Sequence, residues 1–83
     1  MKQVKIYSKN YCPYCQRAKA LFDQKGVTYT EINLEGKRDE LMALIKETGM
    51  RTVPQIYIGD EFIGGFSELS ELDKKGLLDS KLG

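Results

Sequence analysis

The hydrophobic period of this chain changes twice between Val4 and Leu34, and that alternation constrains its fold more than any other feature. Val4 and Ile6 alternate with Lys5 and Tyr7, the period-2 pattern of a half-buried strand that ends near Ser8. From residue 13 to residue 25 the apolar positions Tyr14, Ala18, Leu21 and Phe22 fall at i, i+4, i+7 and i+8, a single helical stripe stopped at Gly26. Pro13 suits the first helical position, where its missing N–H costs nothing. A second strand, rich in Thr, Tyr and Ile, reads from Thr28 to about Leu34. Strand, helix and strand in so short a span predict a βαβ unit with a parallel pair, because parallel neighbours need a crossover that is usually helical.

Beyond the break at Glu35-Gly36, the residues Leu41, Leu44 and Ile45 mark the apolar face of a second helix, with Gly49 as its expected C-cap. Gln55 to Ile58, the turn Gly59-Asp60, and Glu61 to Ile63 read as an antiparallel hairpin with a two-residue loop. After Gly64-Gly65 a third helix is expected to start at Ser67 as N-cap, with Glu68 well placed for the macrodipole, and to run through Leu69 and Leu72 toward Leu77. The predicted order is β-α-β-α-β-β-α. There is no internal repeat, linker or low-complexity segment, and 83 residues suffice for one small core, so residues 1–83 are expected to form one domain.

Thirteen basic against twelve acidic residues leave no electrostatic footprint for a polyanion, so nucleic acid is not an expected partner. No apolar run approaches the roughly 20 residues of a membrane span, and the N-terminus carries no signal-peptide core, so the expected compartment is the cytosol. The chain has two cysteines and no histidine. Imidazole catalysis and a Cys-His dyad are therefore excluded, and the chemistry must run on sulfur, carboxylates or backbone dipoles.

Both cysteines lie in Cys12-Pro13-Tyr14-Cys15, between a strand end and a helix start inside the βαβ pattern, the context in which Cys-x-x-Cys is informative. Cys12 precedes the first helical turn, whose unpaired N–H groups and macrodipole favour a thiolate, so its pKa is expected below the free value of about 8.5. Lys9 adds a nearby cation. Cys15 falls on the same side of that turn, in reach of a sulfur bonded to Cys12, and shares a face with Ala18 and Phe22, so it should be the more buried thiol. One activated nucleophile beside one shielded thiol is the asymmetry that thiol-disulfide exchange requires. Three other readings are weaker. Two ordinary buried cysteines leave Pro13 at the helix start unexplained, a closed zinc site needs four ligands, and a structural disulfide is unusual among cytosolic thiols.

Cys12-Pro13-Tyr14-Cys15 resembles the active-site motif of the dithiol glutaredoxins. Thr52-Val53-Pro54 resembles the family's Thr-Val-Pro, whose proline is cis, and Gly64-Gly65-Phe66-Ser67-Glu68-Leu69 resembles the segment leading into its third helix. The three motifs occur in order over nearly the whole chain. The resemblance implies a thioredoxin-like α/β fold, a mixed four-stranded sheet flanked by three helices. It also implies a glutathione-dependent thiol-disulfide oxidoreductase in which Cys12 attacks and Cys15 resolves. The Trp-Cys-Gly-Pro-Cys pattern of the thioredoxins is absent.

By the same resemblance, the cysteinyl part of glutathione would pair with the backbone of Val53, between Thr52 and Pro54. Its γ-glutamyl carboxylate would sit at Phe66 and Ser67, where Gly65 permits close approach and the helix start offers free N–H groups. Its glycyl carboxylate would face Lys9 first, with Arg51 and Arg38 weaker candidates, and Tyr14 would shield the sulfurs or touch glutathione. Many relatives carry Asp where this chain has Ser67. Some glutaredoxins hold an iron-sulfur cluster between two subunits, but a proline directly after the first cysteine goes with less cluster binding. The expectation is therefore a monomer with glutathione as co-substrate, no resident metal, and glutathionylated or disulfide-containing proteins as partners.

Overall fold

The computed structural model describes residues 2–83. In chain order the elements are β1 (Val4–Ser8), α1 (Pro13–Gln24), β2 (Thr30–Asn33), α2 (Arg38–Thr48), β3 (Gln55–Ile58), β4 (Glu61–Gly64), α3 (Phe66–Lys74) and α4 (Leu78–Leu82). The strands form one mixed sheet in the order β2-β1-β3-β4; β1 pairs with β2 in parallel, and the other two pairings are antiparallel. The βαβ unit and the hairpin therefore stand where the sequence places them. β2 is shorter than the expected Thr28 to Leu34. At its start the chain is still closing α1, since the Val27 N–H bonds back to the Phe22 carbonyl, and at its end β1 runs out of partners at Ser8, paired with Asn33.

Side chains alternate across a strand, so each sheet face collects every second residue. Val4 and Ile6 of β1 and Ile56 and Ile58 of β3 point to one face and meet Ala18 and Phe22 of α1 and Leu69 of α3 in the core. Burying each large side chain stabilises the fold by about 1.5 to 3 kcal/mol. Tyr7 and Ile32 turn to the opposite face, where α2 lies with Ala43, Leu44 and Glu47 beside them. Leu44 is the one buried residue of α2. Tyr57 reaches α2 by donating its hydroxyl to Glu47, and its pKa is pushed up to about 12, first by burial and then by that carboxylate. Tyr14 does not join the core stripe of α1; it is 55% exposed, and Cys15, Ala18 and Phe22 make the buried face.

The third helix departs from expectation at both ends. Its N-cap is Gly65 and not Ser67, because the Glu68 carboxylate accepts the Gly65 N–H at 2.6 Å and starts the helix at Phe66. At the other end the run toward Leu77 is cut at Gly76, which adopts φ +70°. The Gly76 N–H bonds to the Asp73 carbonyl and the Leu77 N–H to the Leu72 carbonyl, the Schellman pairing that a left-handed residue after the C-cap permits. The chain then forms a fourth helix, α4, in place of the three expected, and buries Leu78 and Leu82 under the core. Lys25, just past α1, pairs with Asp73 of α3 at 2.9 Å and Asp79 of α4 at 3.0 Å; these bonds raise its pKa.

Ser8, fully buried at the end of β1, donates its hydroxyl to Glu31 of β2 at 2.6 Å, and Lys19 of α1 pairs with the same carboxylate oxygen at 3.1 Å. The Ser8 hydrogen bond is the main cause holding Glu31 below its ordinary pKa of 4.5; Lys19 adds to it and partial burial opposes it. A carboxylate depressed in the folded state contributes stability above its unfolded pKa and loses it as pH falls through the folded value. Ser8→Ala should therefore lower the urea midpoint at pH 7, and the gap from the parent protein should narrow as pH falls below the unfolded value of 4.5. Urea titrations at pH 7 and pH 3 that show the same gap would remove this account of Ser8.

Candidate active site

The loop between β1 and α1 is pinned to the end of β2. Asn10 receives a hydrogen bond from Asn33 Nδ2 at 3.0 Å and gives its backbone N–H to Glu35 at 3.2 Å, while the Glu35 N–H returns to Asn33 Oδ1 at 2.8 Å. Tyr11 follows with φ 55° and a fully exposed ring. Cys12 is then the N-cap of α1, extended at φ −111° and ψ 101°, with Pro13 at the first helical position as the sequence implies. Its Sγ accepts the N–H of Cys15 at 3.1 Å. Cys12 and Cys15 are joined as a disulfide with Cα atoms 5.2 Å apart, so the structure describes the oxidised form. The two sulfurs are unequally placed: Cys15 is 1% exposed within the helix face, whereas Cys12 is half-buried at its mouth.

The segment before β3 comes up beside them. The Val53-Pro54 peptide is cis, and the Val53 carbonyl oxygen lies 3.8 Å from Cys12 Sγ. On the other side, the start of α3 presents the Phe66 and Ser67 amides, which have no carbonyl acceptor within the helix, while the Gly65 N–H is taken by Glu68. Gly64, at φ +118°, passes directly under Glu68: a Cβ there would stand 2.7 Å from the Glu68 carboxylate, so no larger residue fits without moving the carboxylate that caps the helix. Tyr14 of α1 stacks on Phe66 of α3 with ring centroids 6.2 Å apart, and Arg17 lies 5.2 Å from the Tyr14 centroid on that helix.

Between these walls runs a groove of about 390 Å³. Tyr14, Thr52, Val53, Pro54, Gly65, Phe66 and Ser67 line it, whereas the three cations singled out from sequence, Lys9, Arg51 and Arg38, do not, and the two cysteines lie beside it rather than in its lining. Lys9 is half-buried in the loop ahead of Cys12. Arg51 is exposed next to the groove-lining Met50 and Thr52, and Arg38 is exposed at the start of α2, away from these segments in sequence. Met50 and Glu68 also line the groove and were missed as site residues. The Glu68 signal was available, since an acidic residue three positions after a helix cap can reach back to it. Met50 carries no such signal in an apolar or polar pattern.

A family model described as Glutaredoxin matches residues 4–63. Glutaredoxin 3 of Escherichia coli strain K12 is 46% identical over 82 residues, covering 99% of this chain and 99% of that protein. Glutaredoxin of Pseudomonas aeruginosa is 44% identical over 82 residues, covering 99% and 98%. Among solved structures, a buckwheat glutaredoxin-glutathione complex superimposes with a TM-score of 0.91 at 42% identity, over 98% of this chain and 76% of that one. The oxidised glutaredoxin 2 of Chlamydomonas reinhardtii superimposes with a TM-score of 0.85 at 36% identity, over 98% and 79%. A likeness that runs from β1 through α4, with the cysteine pair held at the helix start on which such chemistry depends, means that the chain belongs to the glutaredoxin family, the glutathione-dependent thiol-disulfide oxidoreductases.

Proposed function

We propose that Cys12 is the nucleophile and Cys15 the resolving thiol of this oxidoreductase, and that glutathione docks in the groove between Val53 and the start of α3. The observation that carries this reading is the Cys15 N–H directed at Cys12 Sγ at 3.1 Å, with Cys12 at the mouth of the helix and Cys15 shut inside it. In the reduced enzyme the same N–H and the helix start stabilise a Cys12 thiolate. On a glutathionylated substrate that thiolate attacks the glutathionyl sulfur, the substrate leaves as a thiolate, and a second glutathione attacks the Cys12-glutathione disulfide to give oxidised glutathione and free Cys12. On a protein disulfide Cys12 forms a mixed disulfide, Cys15 attacks Cys12 Sγ and expels the protein thiol, and two glutathiones reduce the resulting pair. A potential of about −200 to −230 mV, the range of glutaredoxins, lets a glutathione pool drive that last step.

Glutathione is a short peptide with two carboxylates, and each groove wall offers it one kind of contact. The Val53 backbone suits its cysteinyl part as an added strand would, while the Phe66 and Ser67 amides suit the γ-glutamyl carboxylate. Thr52, Pro54 and Gly65 shape the two walls and Tyr14 covers the sulfur end. Lys9 is the first cation for the glycyl carboxylate, although it stands outside the groove lining, and Arg51 is the second. That a similar glutaredoxin is solved as a glutathione complex supports this placement. The chain is read as one monomeric domain working in the cytoplasm on glutathionylated and disulfide-containing proteins; no helix among the described residues is long and apolar enough to cross a membrane.

Two measurements check the assignment. In the reduced protein Cys12 should be alkylated much faster than Cys15, with an apparent pKa below the free-thiol value of about 8.5. Equal rates would remove the helix-start account. Cys12→Ser should abolish turnover of every disulfide, whereas Cys15→Ser should keep substantial activity on a small glutathionyl disulfide and lose most of it on a protein disulfide. A folded Cys15→Ser as inactive as Cys12→Ser on the small substrate would end the two-branch scheme.

A further inference from the structure

Resting on the docking edge proposed above, we infer that Gln55 is the positioning residue that aims the Val53 N–H into the groove. Gln55 is fully buried at the start of β3, paired across the sheet with Tyr7 and followed by the fully buried Ile56. A buried amide is costly unless its donors and acceptor are all used. Here they are. Nε2 donates to the Met50 carbonyl at 2.8 Å and to the Thr52 carbonyl at 3.1 Å, and Oε1 lies 2.8 Å from the Thr48 hydroxyl. That hydroxyl also accepts the Met50 N–H at 3.1 Å.

The bond to Thr52 matters most. The Thr52 carbonyl and the Val53 N–H belong to one planar peptide unit, and in the trans form they point in opposite directions. The only cis bond among the described residues is the next one, Val53-Pro54. Drawing the Thr52 oxygen inward to Gln55 therefore turns the Val53 N–H outward, on the side where Val53 lines the groove. An apolar side chain there would leave the Met50 and Thr52 carbonyls without their donor and the peptide plane without its anchor. Gln55 touches neither the sulfurs nor the groove; it acts through the backbone of Thr52 and Val53.

The test uses S-methylglutathione, a thioether that cannot exchange, titrated into the reduced protein while the Val53 amide is followed by NMR. Steady-state kinetics on a small glutathionyl disulfide run in parallel. Gln55→Leu should raise the dissociation constant and KM together by about tenfold, and leave saturating kcat and the Cys12 alkylation rate within about twofold. Thr48→Val, which removes the hydroxyl that fixes the Gln55 amide, should shift the same two quantities by about threefold, and Thr48→Ser should restore them. A folded Gln55→Leu that binds the probe like the parent overturns the inference, as does a loss confined to kcat or to alkylation, the mark of general structural damage. Should Gln55→Leu fail to fold, equal affinities of Thr48→Val and Thr48→Ser overturn it instead. A parent Val53 amide that ignores the probe overturns the docking edge itself, an outcome distinct from a responsive parent whose affinity Gln55→Leu leaves intact.

Discussion

The packing of α1 and α3 side by side on one face of β1 and β3 is the constraint from which the rest of the site follows. Phe22 and Leu69 are both fully buried against Val4, Ile6, Ile56 and Ile58, so neither helix can shift without opening the core. Their N-termini then open on the same groove, one bearing Cys12 and the other Phe66, and the Tyr14-Phe66 stack joins them there. Each helix start carries partial positive charge. A chain with a formal charge of only +1 thus concentrates attraction for anions, sulfur or carboxylate, at one place through backbone dipoles.

The two cysteines differ by position on a single helical turn. Cys12 at the cap has extended backbone and a sulfur that receives an amide, while Cys15 three residues on points along the face that carries Ala18 and Phe22. Nothing else in the chain needs to distinguish them, which fits the lack of histidine. The Val53-Pro54 turn, which walls the groove beside Cys12, comes from a segment distant in sequence and is brought in because β3 pairs with β1, the strand that leads directly to the Cys12 loop.

Most of the sheet and the first two helices were legible in the sequence because period, proline and glycine agree there: Pro13 opens α1, Gly49 caps α2, and Gly59-Asp60 turns the hairpin. The failures have local causes. Ser67 looked like a helix cap by residue type, but the cap is decided by the Glu68 carboxylate folding back on Gly65. Leu77 looked like a continuation of the apolar stripe, and the chain instead reverses at Gly76 and uses Leu78 and Leu82 to seal the core. Tyr14 satisfied the helical spacing and still faces outward, because spacing cannot tell the edge of a stripe from its centre. The groove walls were legible as motifs, whereas Met50 and the Gln55 network depend on a loop path that no periodicity encodes.

The placement of α2 bears on how the molecule breathes. It lies on the sheet face opposite α1 and α3 and buries only Leu44, outside the cluster that holds the other elements together. Its amides can therefore exchange with solvent through a partial opening that costs less than global unfolding. Such an opening loosens Thr48 and with it one hold on the Gln55 amide and on Met50, whereas Gln55, rooted in β3, retains its two bonds to the Met50 and Thr52 carbonyls as the helix before them frays. The redox face and its back are in this sense two cooperative units of unequal stability sharing one sheet.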